Sequence, residues 1–140
     1  MIMAVVFFTT VIEVKIEGEE DAETVISGNT ARNNGGGLYH KRDVAGLKLE
    51  ISHAFIRNNR AAGESGGGIY ANVANMTLSE SQITGNTANN GGGIYKDYYS
   101  NNTGMLNVEH SEIKDNSASN QGGGIYCKSM LWLKNNTSVS

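Results

Sequence analysis

The feature that most constrains the fold is a glycine triplet that occurs four times, each time directly before an aliphatic residue and a tyrosine. The triplets begin at Gly35, Gly66, Gly91 and Gly122. Upstream of every triplet lies the pattern I-x-x-N-x-A, whose internal spacing never varies: Ile26-Asn29-Ala31, Ile56-Asn59-Ala61, Ile83-Asn86-Ala88 and Ile113-Asn116-Ala118. Self-similarity of this kind is typical of repeat architectures, in which each unit stacks on the next.

An alternating apolar pair precedes each I-x-x-N pattern and completes the unit. The pairs are Val14/Ile16, Leu49/Ile51, Met76/Leu78, Leu106/Val108 and Leu131/Leu133. Each unit is therefore predicted to fold as strand, turn, strand, turn, strand. Successive triplets are 25 to 31 residues apart. The length varies only before the triplet and after the tyrosine, apart from an acidic insertion in the first unit. Strands of constant length joined by connections of variable length indicate a solenoid whose loops project from one side.

The predicted fold is all-β, a single-stranded right-handed parallel β-helix with three short strands per coil and about four to five coils. No 3.6-residue apolar period is present, and clustered Gly and Asn disfavour helical repeats. Equivalent residues of successive coils should stack at about 4.8 Å. The resulting columns include a structural ladder of buried asparagine side chains at Asn29, Asn59, Asn86 and Asn116.

Two corners of each coil are predicted from residues that tolerate positive φ. The glycine triplet marks one corner, and the register of Gly28, Asn58, Gly85 and Asp115 marks the other. Strand alternation predicts that the third glycine of each triplet faces outward, beside the tyrosine.

Length and charge limit the classes of partner. The 140 residues suit one β-helix domain spanning 1–140, and the net charge of -3 comes without a basic patch, which argues against nucleic acid. Residues 1–10 are apolar but too short for a membrane span, so we expect a first strand or a vestigial signal segment. The last strand has no polar cap, which indicates a fragment of a longer solenoid or end-to-end stacking with further coils.

The paired motifs also carry a family resemblance. I-x-x-N followed closely by GGGIY resembles the FxxN and GGA[ILV] motifs of polymorphic outer membrane protein repeats, and more broadly the β-helix domains of adhesin-like proteins. It covers residues from about 11 to 139. The resemblance implies a secreted or surface-displayed protein, extracellular or on the cell surface, with structural or adhesive duties. Glycans or other surface proteins are the partners that it implies.

A strip of tyrosines is the first candidate contact surface. If the aliphatic residue of each GGG-[IL]-Y motif points inward, the next residue points outward. That places Tyr39, Tyr70, Tyr95 and Tyr126 in one outward stack. Such a strip suits sugar rings or a protein face. The alternative is that the loops after each tyrosine fold over the stack and the rings serve packing.

A second column combines acids and imidazoles three residues before each isoleucine, at Glu23, His53, Glu80 and His110. Parallel side chains at about 5 Å steps do not converge as zinc ligands do, so an exposed charge ladder is favoured over a metal site. We predict no cofactor, metal ion or catalytic residue. The lone Cys127 is interpreted as a small strand residue.

Enzymes and mineral-binding proteins are the competing functional classes. A polysaccharide lyase or hydrolase needs clustered carboxylates, and Asp43, Asp97 and Asp115 occupy unrelated registers. A carbohydrate-active domain therefore stays the alternative to a non-enzymatic scaffold. Regular hydroxyls at Thr30, Thr87 and Ser117 are interrupted by Arg60, which disfavours ice or mineral binding. N-glycosylation sequons occur at Asn75, Asn101, Asn135 and Asn136.

Overall fold

The computed structural model describes residues 5–7, 13–41, 47–98 and 104–140, with side chains described from residue 13 onward. Within these ranges every named strand pairs in parallel with its equivalent one repeat away, and the strands form four sheets. We label the sheets A to D in the order in which each complete coil visits them, starting at β2.

Each sheet collects one segment of the repeat. Sheet A, with the alternating apolar pairs, contains β2 (Glu13–Glu17), β6 (Lys48–Ser52), β10 (Asn75–Ser79), β14 (Met105–Glu109) and β18 (Met130–Lys134). Sheet B, with the isoleucines, contains β3 (Thr24–Ser27), β7 (Ala54–Arg57), β11 (Gln82–Thr84), β15 (Glu112–Lys114) and β19 (Ser138–Val139). Sheet C follows the asparagines and contains β4 (Thr30–Ala31), β8 (Arg60–Ala61), β12 (Thr87–Asn90) and β16 (Ser117–Gln121). Sheet D follows the glycine triplets and contains β1 (Val5–Phe7), β5 (Leu38–Lys41), β9 (Ile69–Asn72), β13 (Ile94–Lys96) and β17 (Ile125–Cys127).

The predicted parallel β-solenoid is confirmed, with one addition to the coil. Four coils each run through sheets A, B, C and D in that order. The sequence predicts three strands per coil, whereas the structure has a fourth short strand in sheet C. That strand has only two residues in the first two coils, which is too short to show a period of two. The right-handed sense of the winding stays a prediction.

Apolar side chains in register fill the interior. Ile83 of β11 pairs with Ile56 and Ile113 on either side, and all three are buried. Sheets A and D contribute parallel columns of Leu, Met, Val and Ile to the same core. Burial of each such side chain contributes about 1.5–3 kcal/mol. Among the described residues, the last members of these columns are exposed: Leu131 at 39%, Leu133 at 48% and Val139 at 41%.

The asparagines form a hydrogen-bonded ladder at the corner between sheets B and C. The Oδ1 of Asn86 accepts from both the backbone N–H and the side-chain amide of Asn59, at 2.9 and 3.0 Å. Its Nδ2 donates to the Asn116 Oδ1 and to the Ile56 carbonyl. The same pattern links Asn29 with Asn59. Buried polar groups of the turn are thereby satisfied by the next coil.

Left-handed backbone marks three corners in every complete coil from the second onward. The first glycine of each triplet has φ between 58° and 71°, and Gly28, Asn58, Gly85 and Asp115 have φ between 54° and 68°, as the sequence predicts. An additional corner between sheets A and B has left-handed residues at His53, Glu80, His110 and Asn135. The sequence gives no hint of this corner because its residues are not glycine.

The third glycine of each triplet does not face outward, and that prediction is wrong. A methyl group on Gly37 would lie 2.9 Å from the Asn59 Nδ2, and one on Gly93 would lie 3.0 Å from the Asn116 Nδ2. These glycines are buried against the asparagine ladder. The corner disrupts strand alternation, because the first glycine turns the backbone before the strand begins.

A second polar ladder lies at the corner between sheets A and B. The Ser81 Oγ accepts from the Ala54 N–H at 3.1 Å and donates to the Ser79 carbonyl, and the Ser111 Oγ accepts from the Ser81 N–H and donates to the Glu109 carbonyl. Thr137 continues the column with donation to the Lys134 carbonyl. Both serines are 3% exposed. The second, third and fourth coils are thus held together by polar side chains at two corners.

The apolar residues 1–10 contribute β1, whose Val5, Val6 and Phe7 pair with Leu38, Tyr39 and His40. The rest of that stretch lies outside the described residues. Across the part of the chain that the structure describes, no helix has the length and apolar character needed to cross a bilayer.

We expect Asn86→Ala to lower the free energy of unfolding by about 3 kcal/mol, because it leaves the Ile56 carbonyl and the Asn59 N–H buried without their partners. Asn33→Ala, at an exposed asparagine of a turn, should change it by less than about 0.5 kcal/mol. Urea unfolding of the two variants checks this. Equal effects would contradict a stabilising ladder.

Candidate ligand surfaces

The four tyrosines stack as one continuous column on the outer face of sheet D. Ring centroids are 5.1 Å apart for Tyr39–Tyr70, 5.3 Å for Tyr70–Tyr95 and 5.1 Å for Tyr95–Tyr126, with interplanar angles of 6° to 17°. The spacing follows from strand pairing, since Tyr95 lies opposite both Tyr70 and Tyr126. Each ring therefore covers much of its neighbours' faces.

The two central rings of the outward stack are largely buried. Tyr70 is 8% exposed and Tyr95 is 7% exposed, whereas Tyr39 and Tyr126 are partly exposed. Neighbouring rings cover the faces, and Asp97 and Lys128 of the connections contact Tyr70 and Tyr95. Tyr70 and Tyr95 therefore serve packing, which is the alternative that the sequence leaves open.

Polar residues of the connections contact the two buried tyrosines and each other. The Tyr70 hydroxyl donates to the Asp97 Oδ2 at 2.9 Å, and burial, followed by this hydrogen bond, raises the pKa of Tyr70. Lys128 Nζ lies 3.4 Å from the Asp97 Oδ1 and 5.3 Å from the centroid of the Tyr95 ring. Tyr98, which is 46% exposed, lies beside the same ammonium group. The outermost surface here is thus a mixed aromatic and charged patch.

Lys96 anchors the connections from inside the coil. Its side chain is fully buried, and its Nζ donates to the carbonyls of Val73 and Asp97, both at 2.7 Å. Burial lowers the pKa of Lys96. Lys96 therefore links the connection that follows the second coil, at Val73, to the connection that follows the third, at Asp97. The sequence gives no reason to expect it inside, because its register partners Ala71 and Cys127 are small.

The acid and imidazole column lies at the left-handed corner between sheets A and B. The His53 Nε2 lies 2.9 Å from the Glu80 Oε2, so these two residues form a pair. Glu23, His53, Glu80 and His110 line a groove of about 800 Å³. Among the described residues, no three His, Cys, Asp or Glu side chains are grouped to hold a metal ion.

The remaining candidates occupy separate places. Asn75 begins β10, Asn135 and Asn136 lie at the exposed corner before β19, and Asn101 lies outside the described residues. Cys127 is a partly exposed residue of β17. Thr87 pairs in register with Arg60 and Ser117, so Arg60 interrupts the row of hydroxyl groups as predicted.

Comparison with known proteins identifies the repeat. The Chlamydia polymorphic membrane protein repeat matches residues 23–41, 80–96 and 110–128, each a segment from the acid and imidazole corner through the tyrosine. The chain is a polymorphic outer membrane protein-like β-solenoid. It is 30% identical to the probable outer membrane protein pmp6 of Chlamydia pneumoniae over 141 residues. That alignment covers 86% of this chain and 11% of the relative's length. No solved structure matches the chain.

The polymorphic outer membrane protein-like resemblance seen in the sequence is thereby confirmed, with the fold that it implies. The Ile residue that replaces Phe in the first motif points into the core, where Ile26, Ile56, Ile83 and Ile113 are at most 1% exposed. The glycine that replaces alanine in the second motif lies against the asparagine ladder. Both substitutions are therefore accommodated by the interior of the coil.

We expect Tyr70→Phe to reduce the loss of stability at alkaline pH. Because the folded pKa of Tyr70 is raised, its contribution is fully present below the ordinary tyrosine pKa of about 10 and is lost as pH rises above it. Between pH 10 and 12 the unmodified chain should lose up to about 1.4 kcal/mol per pH unit from this group, and Tyr70→Phe should not. Urea unfolding across this range checks it, with Tyr98→Phe as an exposed control. Parallel curves for Tyr70→Phe and the unmodified chain would contradict a raised pKa.

Proposed function

We propose that the chain is a non-enzymatic structural and adhesive scaffold of a secreted or surface protein, which presents its connections to glycans or other surface proteins. A surface location is supported by the similarity to pmp6, a probable outer membrane protein. The chain spans 11% of that relative's length, so the proposal concerns this β-solenoid and not the relative as a whole.

One observation carries this proposal: the connections that vary most in length leave from the same edge of the solenoid. They follow β5, β9, β13 and β17 of sheet D, and they lead to the next strand of sheet A. The strands between them keep a constant register. A scaffold that fixes its coils and varies one row of loops suits recognition, because loop changes there leave the core intact.

The tyrosine column supports the proposal through its exposed parts only. With Tyr70 and Tyr95 buried, the contact surface consists of the partly exposed end rings, Tyr39 and Tyr126, and the loop residues above the column. Tyr98 and Lys128 offer an exposed ring and a cation within the same patch. Aromatic and cationic side chains are enriched where proteins make contacts.

A non-enzymatic role is supported by three of the described carboxylates, which are engaged by neighbouring side chains. Glu80 is paired with His53, Glu112 with Lys114, and Asp97 with Tyr70 and Lys128. A polysaccharide-cleaving domain is the alternative. Release of new reducing ends from oligosaccharides by the purified chain, abolished in Glu80→Gln and retained in Glu50→Gln, would replace the proposal with that alternative.

The test shortens the longest connection. Deletion of residues 98–103 leaves Asp97 and Gly104 between β13 and β14, which is the length found between β17 and β18. We expect binding of the labelled chain to cultured animal cells to fall about tenfold, since recognition depends on few residues. Lys128→Ala should weaken binding in the same assay.

The matched control is Lys15→Ala, which removes a half-exposed lysine from sheet A. It should leave binding unchanged, and urea unfolding should show that both variants and the deletion remain folded. Undiminished binding by the folded deletion variant would contradict the role of this edge.

A further inference from the structure

The groove at the corner between sheets A and B is a continuous feature of the solenoid. It has a volume of about 800 Å³ and receives residues from every coil between Glu23 and Ser138. Its corner row is Glu23, His53, Glu80, His110 and Asn136, the last of which lies one residue beyond the equivalent position, Asn135. Its strand row is Phe55, Gln82, Glu112 and Ser138. Four steps of about 4.8 Å give the groove a length of about 19 Å. It therefore runs parallel to the solenoid axis.

The floor of the groove is rigid. Ser81 and Ser111 lie beneath the two rows, and their hydroxyls bond backbone groups of their own and the preceding coil. The walls are built on paired strands, since β11 hydrogen-bonds with β7 on one side and with β15 on the other. A groove with this support is preformed, so a ligand bound there loses little affinity to ordering of the protein.

The corner row keeps long polar side chains where the backbone favours glycine. His53, Glu80 and His110 have φ of 48°, 46° and 45°, whereas two of the four residues at the corner between sheets B and C are glycine. A left-handed conformation costs a residue other than glycine about 1–2 kcal/mol. Such positions persist where the surrounding structure enforces them and are concentrated at ligand sites. The groove therefore presents long polar side chains from strained backbone positions, as ligand sites do.

The chemistry of the walls selects the class of ligand. Among the groove-lining residues that the structure describes, none is Lys or Arg, whereas four are glutamates: Glu20, Glu23, Glu80 and Glu112. Polyanions such as sulfated glycans or nucleic acids are therefore disfavoured. The carboxylates, imidazoles, the Gln82 and Asn136 amides and the Ser138 hydroxyl together accept and donate hydrogen bonds. Phe55 adds one apolar ring, which suits the C–H face of a sugar.

The same walls disfavour an extended peptide. A peptide that adds to a sheet needs a free strand edge, but three strands of the groove, β7, β11 and β15, are paired on both sides. β19, which carries Ser138, ends the sheet, and a strand added there would lie across the solenoid axis and not along the groove. Along the groove only side chains are available for contact. A ligand with many hydroxyl groups of its own can use side chains alone, whereas a peptide backbone cannot pair there.

We propose that this groove binds a neutral, unsulfated glycan chain that lies parallel to the solenoid axis. The hydroxyls of successive sugars bond the corner row on one side and the strand row on the other, and Phe55 supports one ring. This site is separate from the loop edge proposed above, and it stands whether or not the loops make contacts.

The test uses an array of linear neutral hexasaccharides of β-1,4-glucan, α-1,4-glucan, β-1,4-xylan and β-1,4-mannan, together with a heparin hexasaccharide and hexalysine. We expect the purified chain to bind at least one neutral hexasaccharide, with little change when NaCl is raised, because no net charge is neutralised. Heparin and hexalysine should not compete for that binding.

Variants then locate the site. Gln82→Ala and Glu80→Gln should each weaken hexasaccharide binding about tenfold, through loss of a hydrogen bond at the groove wall. The matched control is Thr84→Ala, two residues further along β11 and outside the groove, which should bind as the unmodified chain does. The deletion of residues 98–103 should also leave hexasaccharide binding unchanged. Because that deletion tests the loop edge, the two proposals can fail separately.

Three outcomes would overturn the inference. The first is no binding of any neutral hexasaccharide at millimolar concentration by chain that unfolds cooperatively. The second is binding that Gln82→Ala and Glu80→Gln leave unchanged. The third is binding of hexalysine alone with strong salt dependence, which would identify an acidic surface for basic peptides instead.

Discussion

The structure depends on the parallel, in-register pairing of each coil with the next, and the buried asparagine ladder makes that register unique. Apolar columns alone would tolerate exchange among Leu, Ile, Met and Val. An amide does not tolerate a slip, because Asn86 has to meet the Asn59 amide, the Asn116 oxygen and the Ile56 carbonyl at the same time. A shift by one residue would also turn the isoleucine column to solvent. Polar corners therefore specify the fold that the apolar columns stabilise.

Both candidate surfaces follow from that register. Stacking brings four tyrosines together at 5.1 to 5.3 Å and leaves the variable connections along one edge. Stacking also aligns the acid and imidazole corner into a groove that crosses every coil. A change of loop length affects the first surface, whereas a change of corner residue affects the second. The two surfaces can therefore vary independently on one constant core.

Sequence reasoning succeeds where a residue type has only one role in the repeat. Asn86 and Ile83 recur at fixed spacing, so their columns are predictable, and the positive φ of Gly28 and Gly85 follows from the absence of a side chain. The burial of Tyr70 and Tyr95 is not predictable from alternation. It depends on Asp97 and Lys128, which belong to connections of variable length.

Other features were missed because their chemical identity changes from coil to coil. The register of the second polar ladder is occupied by Thr24, Ala54, Ser81, Ser111 and Thr137. Four of these residues are Ser or Thr, but the alanine of the second coil interrupts the pattern, so a hydroxyl column is not evident from the sequence. Likewise, Lys96 is buried in a column whose neighbours Ala71 and Cys127 are small, so only the packed structure leaves room for it.

Register-specific cross-linking tests the central claim most directly. Thr77 and Asn107 lie opposite each other on β10 and β14, with outward side chains. In a Cys127→Ser background, cysteines at positions 77 and 107 should form a disulfide rapidly and in high yield under mild oxidation, because paired strands lie about 4.8 Å apart. Cysteines at positions 77 and 109 are offset by two residues, about 8 Å apart, and should remain reduced. Equal cross-linking of both pairs, or preference for the offset pair, would contradict the register on which the fold and both surfaces depend.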